Sequence, residues 1–222
     1  MTGRTQGMLL ALTGSVCLRL ASSQEYLRYV RPWMRWPLLA TAVVLLVVGL
    51  RLLWSDRVAR TDHGPGTAWL MVLPIFAVFA ISPPALGAFS ADRTAVGVTA
   101  DKDRGALGGS GVATMTISEF QGRAQWDETL TGVRVALTGF VAYADGGGWF
   151  VTRVAISCCA ADAVSYRVRV VGATARPPEN SWVRVTGVWH KPTGGATPRL
   201  DPPVMDVKDV VPVAAPANPY ET

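Results

Sequence analysis

The chain changes character near residue 90, and that break constrains its fold more than any single motif. Before it lie two apolar runs. One covers Trp36 to Trp54 around the core Leu38–Leu50, and the other covers Thr67 to Phe89 without a single charged side chain. About 20 apolar residues suffice to cross the hydrocarbon of a bilayer. Trp33, Trp36 and Trp54 stand where an interfacial aromatic belt would place them, and Arg51 is near enough to a helix end to snorkel. Pro74 predicts a kink in the later run and Pro83-Pro84 its end. A shorter segment, 7–22, is cut by Arg19. It reads as a retained first helix rather than a signal peptide, because no small-x-small cleavage site precedes polar chain and another apolar run follows at once.

These readings give a multi-pass α-helical membrane region over 1–90, with two to three transmembrane helices at about 7–22, 36–54 and 67–89. The expected location is the cell membrane. Arg19, Arg28, Arg31, Arg35, Arg93, Lys102 and Arg104 flank one side of that arrangement, against Arg4, Arg51, Arg57 and Arg60 on the other. The positive-inside rule then favours a cytoplasmic C-terminal domain. The same reasoning assigns the net charge of +5 to topology rather than to nucleic acid.

From 91 to 110 the chain is Gly-rich and polar, the composition of a flexible linker. Ser118 is placed to cap a short helix through about Trp126. From Gly132 the pattern turns to β: runs of β-branched and aromatic residues bounded by Gly and Pro, with period-two alternation that points Val135, Leu137, Val151, Val168 and Val185 inward. Five such strands, with a short helical element between the second and third, predict an OB-like small barrel over 111–213. The Pro/Ala-rich stretch 214–222 reads as a disordered tail.

Reactive side chains concentrate at Cys158-Cys159, in Val154-Ala-Ile-Ser-Cys-Cys-Ala-Ala-Asp-Ala163. Neighbouring Cα atoms are about 3.8 Å apart, short of the usual disulfide span of about 4.4–6.8 Å, so the pair is better suited to binding or reacting than to stapling. In an OB-type order the second and fourth strands finish at the same end, beside the start of the first. That brings the pair toward His190, with Asp162 one short turn away. Two thiolates, a carboxylate and an imidazole form a metal-type set for zinc or another transition metal. Asp62-His63, in the loop between the apolar runs, is a further loop contact for a metal.

Three passages carry a family resemblance: Tyr29-Val-Arg-Pro32; Leu73-Pro74 through Pro83-Pro-Ala-Leu-Gly-Ala88; and Arg153–Ala163 followed by Trp182-Val-Arg-Val-Thr-Gly187. With these the chain resembles the YcgQ-like family of bacterial membrane proteins, described as permease subunits. The resemblance implies a larger multi-spanning permease as partner. The functional expectation is a non-enzymatic accessory subunit of a two-component permease for a metal ion or thiol-reactive solute, binding or sensing through the cysteine pair. The alternatives are a membrane-tethered thiol redox protein or metallochaperone. Nucleic acid is not an expected partner, since Tyr166, Arg167 and Arg169 are a thin aromatic-basic face.

Overall fold

The computed structural model describes residues 3–54, 84–94, 107, 111–126, 129–144, 147–174, 176–191 and 201–221. They divide into two compact units, Met1–Ala85 and Leu86–Thr222.

The first unit pairs helix α1 (Gly3–Ser22) with helix α2 (Arg35–Trp54). Two 3-10 turns, Glu25–Arg28 and Pro32–Met34, connect them, and Pro32 presets the backbone of the second. The helices meet along small residues. A Cβ on Gly49 would lie 2.8 Å from the Ala11 nitrogen and 2.8 Å from the Gly7 oxygen. Ala21 and Ala42 are fully buried. Small side chains let two backbones approach this closely, the device that joins helices where no hydrophobic effect drives them together. Arg35 Nε donates to the Ala21 carbonyl at 3.1 Å, satisfying one group at the end of α1. The other side of α2 exposes Trp36, Val43, Val44, Val47 and Trp54.

This unit corrects the multi-pass expectation. Among the described residues one helix, Pro32–Trp54 (23 residues), is long and apolar enough to cross a membrane. Helix α1 carries Arg4, Gln6, Thr13, Ser15 and Arg19 and does not reach that apolarity. Most of the expected 67–89 span lies outside the described residues. Its last residues, from Leu86, fold with the second unit.

In the second unit five long strands close a barrel: β2 (Arg134–Tyr143), β3 (Trp149–Ala155), β4 (Val164–Val171), β5 (Trp182–His190) and β6 (Val204–Pro212). Strand β2 pairs antiparallel with both β3 and β5, β3 with β4 and β5 with β6, while β4 and β6 run parallel. That is the ring of an OB-type barrel. Short strand β1 (Ala113–Thr114) adds to β2, and β7 (Tyr220–Glu221) adds to β3. The alternating positions Val135, Leu137, Val151, Val168 and Val185 are all fully buried in the core. Gly139 sits where β2 passes from β5 to β3. A Cβ there would stand 2.5 Å from the Thr152 carbonyl oxygen, so close strand crossing requires glycine.

Helix α4 (Ile117–Trp126) packs Ile117 and Phe120 into this core. Ser118 does not cap it. Thr116 Oγ1 accepts the Glu119 N–H at 3.1 Å, in the spacing Thr116-x-x-Glu119 of a capping box. The Glu221 carboxylate accepts the next free donors, Ile117 N–H at 2.7 Å and Ser118 N–H at 3.2 Å. A carboxylate there also meets the positive end of the helix dipole. The expected loose tail is therefore corrected at its end: Tyr220 and Glu221 are buried in β7. Composition alone missed them because their partners lie 66 to 134 residues upstream.

The expected linker, 91–110, is corrected only at 91–94 and Leu107; the rest of it lies outside the described residues. Helix α3 (Ala88–Arg93) lies against β2, β3 and β4. Leu86 N–H donates to Tyr220 Oη at 3.3 Å, and Ala88 N–H to Asn180 Oδ1 at 2.8 Å. Ser165 donates twice, its N–H to the Thr94 carbonyl at 2.9 Å and its hydroxyl to the Ala91 carbonyl. Arg167 pairs with Asp92 at 3.0 Å. Thr152, Val154 and Ser165 face away from the barrel interior by strand alternation, yet all three are buried on this covered side. Leu107 packs on the core as well. The polar composition of 91–94 hid these contacts, because Ala91 and Thr94 dock through their backbone carbonyls.

Two substitutions test this account. Gly139→Val forces the Thr152 backbone aside and is expected to cost about 1–3 kcal/mol or more. Glu221→Ala strands one buried and one half-buried donor and is expected to cost about 1–3 kcal/mol. Thermal unfolding of the purified variants, followed by circular dichroism, measures both; a wild-type midpoint for either removes the corresponding contact from the argument.

Candidate functional site

Strand β3 ends at Ala155, and buried Ile156 holds the chain as it leaves the sheet. Ser157, Cys158 and Cys159 then lead into a 3-10 turn, Ala160–Asp162, before β4 begins at Val164. Cys159 is the N-cap, with extended backbone at φ −150° and ψ 172°. The local sequence explains the turn. Ala160 and Ala161 offer no competing polar group, and Asp162 stands three residues after the cap. Cys159 and Asp162 form a reciprocal capping box with cysteine in the place of serine or threonine.

The Asp162 carboxylate gathers the loop. Its Oδ1 accepts the Ser157 N–H at 2.6 Å; its Oδ2 accepts the Cys158 N–H at 2.7 Å and the Cys159 N–H at 3.3 Å. The Cys158 thiol is also bonded to it and, more than any other partner, holds the Asp162 carboxyl down to about 2; the backbone donors add to the effect. The same contact works in reverse on the thiol. Hydrogen bonds to Asp162 and then Cys159, with the carboxylate charge beside it, push Cys158 up to about 11.

Cys158, Cys159 and Asp162 each offer one donor atom, and these atoms lie within 4.8 Å of one another. Cys158 is exposed, and the other two are half-buried. Two sulfurs and one oxygen suit a thiophilic transition metal such as zinc. Such an ion would take the place of the Cys158 proton, so binding there releases protons.

His190 does not join this group. Its Nδ1 lies 3.0 Å from Asp206 Oδ2 on the adjacent strand β6. The expected convergence of the two strand ends fails because β2 shares its length. Residues Arg134–Phe140 pair with β5, and only Phe140–Tyr143 pair with β3. Beyond Thr152, β3 turns from β2 and takes β7 as neighbour, through Val154↔Tyr220 and Ala155↔Glu221. Asp206 was missed as the partner of His190. The signal lay in the register, His190↔Val204, which puts Asp206 on the diagonal of the same face. Asp62 and His63 lie outside the described residues.

Arg167 and Arg169 stand over the Phe150 ring, at 5.1 and 5.4 Å from its centroid. Arg167 is engaged with Asp92 as well, so part of this aromatic-basic face is spent on contacts within the domain.

Residues 124–221 match the family model described as the DUF1980 C-terminal domain, so the match takes in β2 to β7 and the cysteine loop. It reaches a domain of unknown function and carries no permease assignment, and nothing in it indicates an enzyme activity. No curated protein and no solved structure matches the chain.

The charges of the loop set its pH behaviour. Asp162 is depressed in the folded state, so its contribution to stability is present above pH 3.8 and is lost as pH falls through about 2. Cys158 is raised, so its contribution is present below pH 9.0 and is lost as pH rises through about 11. Alkylation of metal-free Cys158 is therefore expected to be slow at pH 7 and to accelerate toward pH 11, since only the thiolate reacts. Asp162→Asn removes the negative partner and speeds labelling at pH 8, about tenfold for each pKa unit recovered. Equal rates in the variant and the wild type would remove Asp162 as the cause.

Proposed function

We propose that this chain is a membrane-anchored accessory subunit that takes a thiophilic transition-metal cation, zinc first, on Cys158, Cys159 and Asp162. The observation that carries the reading is the placement of two sulfurs and a carboxylate oxygen within 4.8 Å on one capped turn. A ready-made donor group of mixed softness is what such a cation selects, and it is costly to assemble from a disordered loop. The helix Pro32–Trp54 supports the anchor by its length and apolarity, with the bilayer as its surroundings.

The resemblance noted above supplies the partner, a larger multi-spanning permease. In that arrangement the barrel presents the cation and the partner conducts it. A thiol redox role draws less support. The carboxylate beside Cys158 raises its pKa to about 11, opposite to the shift that activates a nucleophilic thiol.

The test is zinc binding by the full chain in detergent, with its cysteines reduced. One ion per chain is expected. Cys158→Ser and Cys159→Ser are each expected to weaken it at least about tenfold, and Asp162→Ala by about 10- to 100-fold, since this residue is both donor and organiser of the loop. Unchanged affinity in the Cys158→Ser/Cys159→Ser double variant would sink the proposal.

A further inference from the structure

We infer that the Cys158–Cys159–Asp162 site is a hand-over site, whose bound cation is completed by a cysteine thiolate from a second polypeptide. This rests on the metal-binding reading of the loop and goes further, to the partner that the site requires.

The argument is a count of donors. A closed zinc-type site has four protein ligands in a tetrahedron, and a site with three keeps a position open to exchange. Here the sulfurs of Cys158 and Cys159 supply two. Asp162 supplies no more than one. A carboxylate has about four acceptor positions, and three already hold the N–H groups of Ser157, Cys158 and Cys159. Using a second oxygen position on the ion would break the hydrogen bonds that shape the loop. His190, the natural fourth donor, is 3.0 Å from Asp206 and belongs to a different pair of strands. Among the described residues, the donor group holds Cys158, Cys159 and Asp162 and no fourth member.

The exposure of the donors also suits an incoming ligand. Cys158, the donor at the outer edge, is exposed, whereas Cys159 and Asp162 are half-buried against the turn. An incoming ligand approaches beside Cys158 without moving the barrel. Two sulfurs already on the ion favour a soft third, so the partner's group is a thiolate rather than a carboxylate. The exchange is redox-neutral: a metal–sulfur bond forms, a metal–water bond breaks, and the proton of the incoming thiol goes to solvent.

Cobalt(II) tests this on the full reduced chain in detergent, because thiolate-to-cobalt charge transfer reports how many sulfurs are bound. Cobalt alone is expected to give the signal of two thiolates. A short synthetic peptide with one cysteine is then expected to raise it about 1.5-fold, as two sulfurs become three in a four-coordinate site. The same peptide with serine leaves it unchanged, and His190→Ala leaves both signals unchanged. Bound cobalt whose spectrum ignores the cysteine peptide, or changes in His190→Ala, overturns the hand-over proposal alone. Cobalt that does not bind, or binds without thiolate charge transfer, overturns the metal-binding reading with it.

Discussion

A five-stranded barrel closes only if one strand can serve two neighbours that diverge, and in this chain β2 does so. It gives Arg134–Phe140 to β5 and Phe140–Tyr143 to β3, and the change of partner passes through Gly139. The Thr152 carbonyl approaches that position so closely that any side chain would hold the strands apart. Much else follows from this crossing. The inner face of the ring collects Val135, Leu137, Val151, Val168 and Val185 into one core. The early parting of β3 from β2 leaves an edge that β7 fills, and β7 carries the carboxylate that caps α4. It also keeps the cysteine loop away from the end of β5.

Within the loop a single carboxylate performs two tasks that compete. Asp162 fixes three successive backbone N–H groups and also receives the Cys158 thiol. Without a cation the loop is folded around a proton, and the thiol is held in its unreactive form. On the proposed reading, a cation would take the thiolates and the free carboxylate position, and the backbone bonds could stay as they are. On that reading the loop would need little rearrangement to exchange its proton for an ion.

The sequence made the strands legible because their signal is local. Alternation located the five inward valine and leucine positions, and Gly and Pro marked the ends. The Cys-Cys-Ala-Ala-Asp run was legible as a donor cluster for the same reason, since its groups are neighbours in the chain. What escaped was non-local. Glu221 caps a helix that starts at Ile117, Asn180 receives Ala88, and Asp206 takes His190. Residues 91–94 read as linker because Ala, Asp and Thr carry little hydrophobic signal, although the carbonyls of Ala91 and Thr94 are matched to Ser165. The membrane reading overreached because it weighed apolar runs one by one. The end of the last run is as well suited to covering a sheet as to entering lipid.

The seat of α3 on the barrel has a mechanical side. Ser165 holds this segment through both its backbone and its hydroxyl, and it lies three residues past Asp162, at the start of β4. Leu86 is tied to Tyr220, so the segment is fastened at its start as well. A pull on residues 86–94 is therefore borne at both ends of the segment. It enters the sheet as shear, at the strand that begins where the cysteine loop ends.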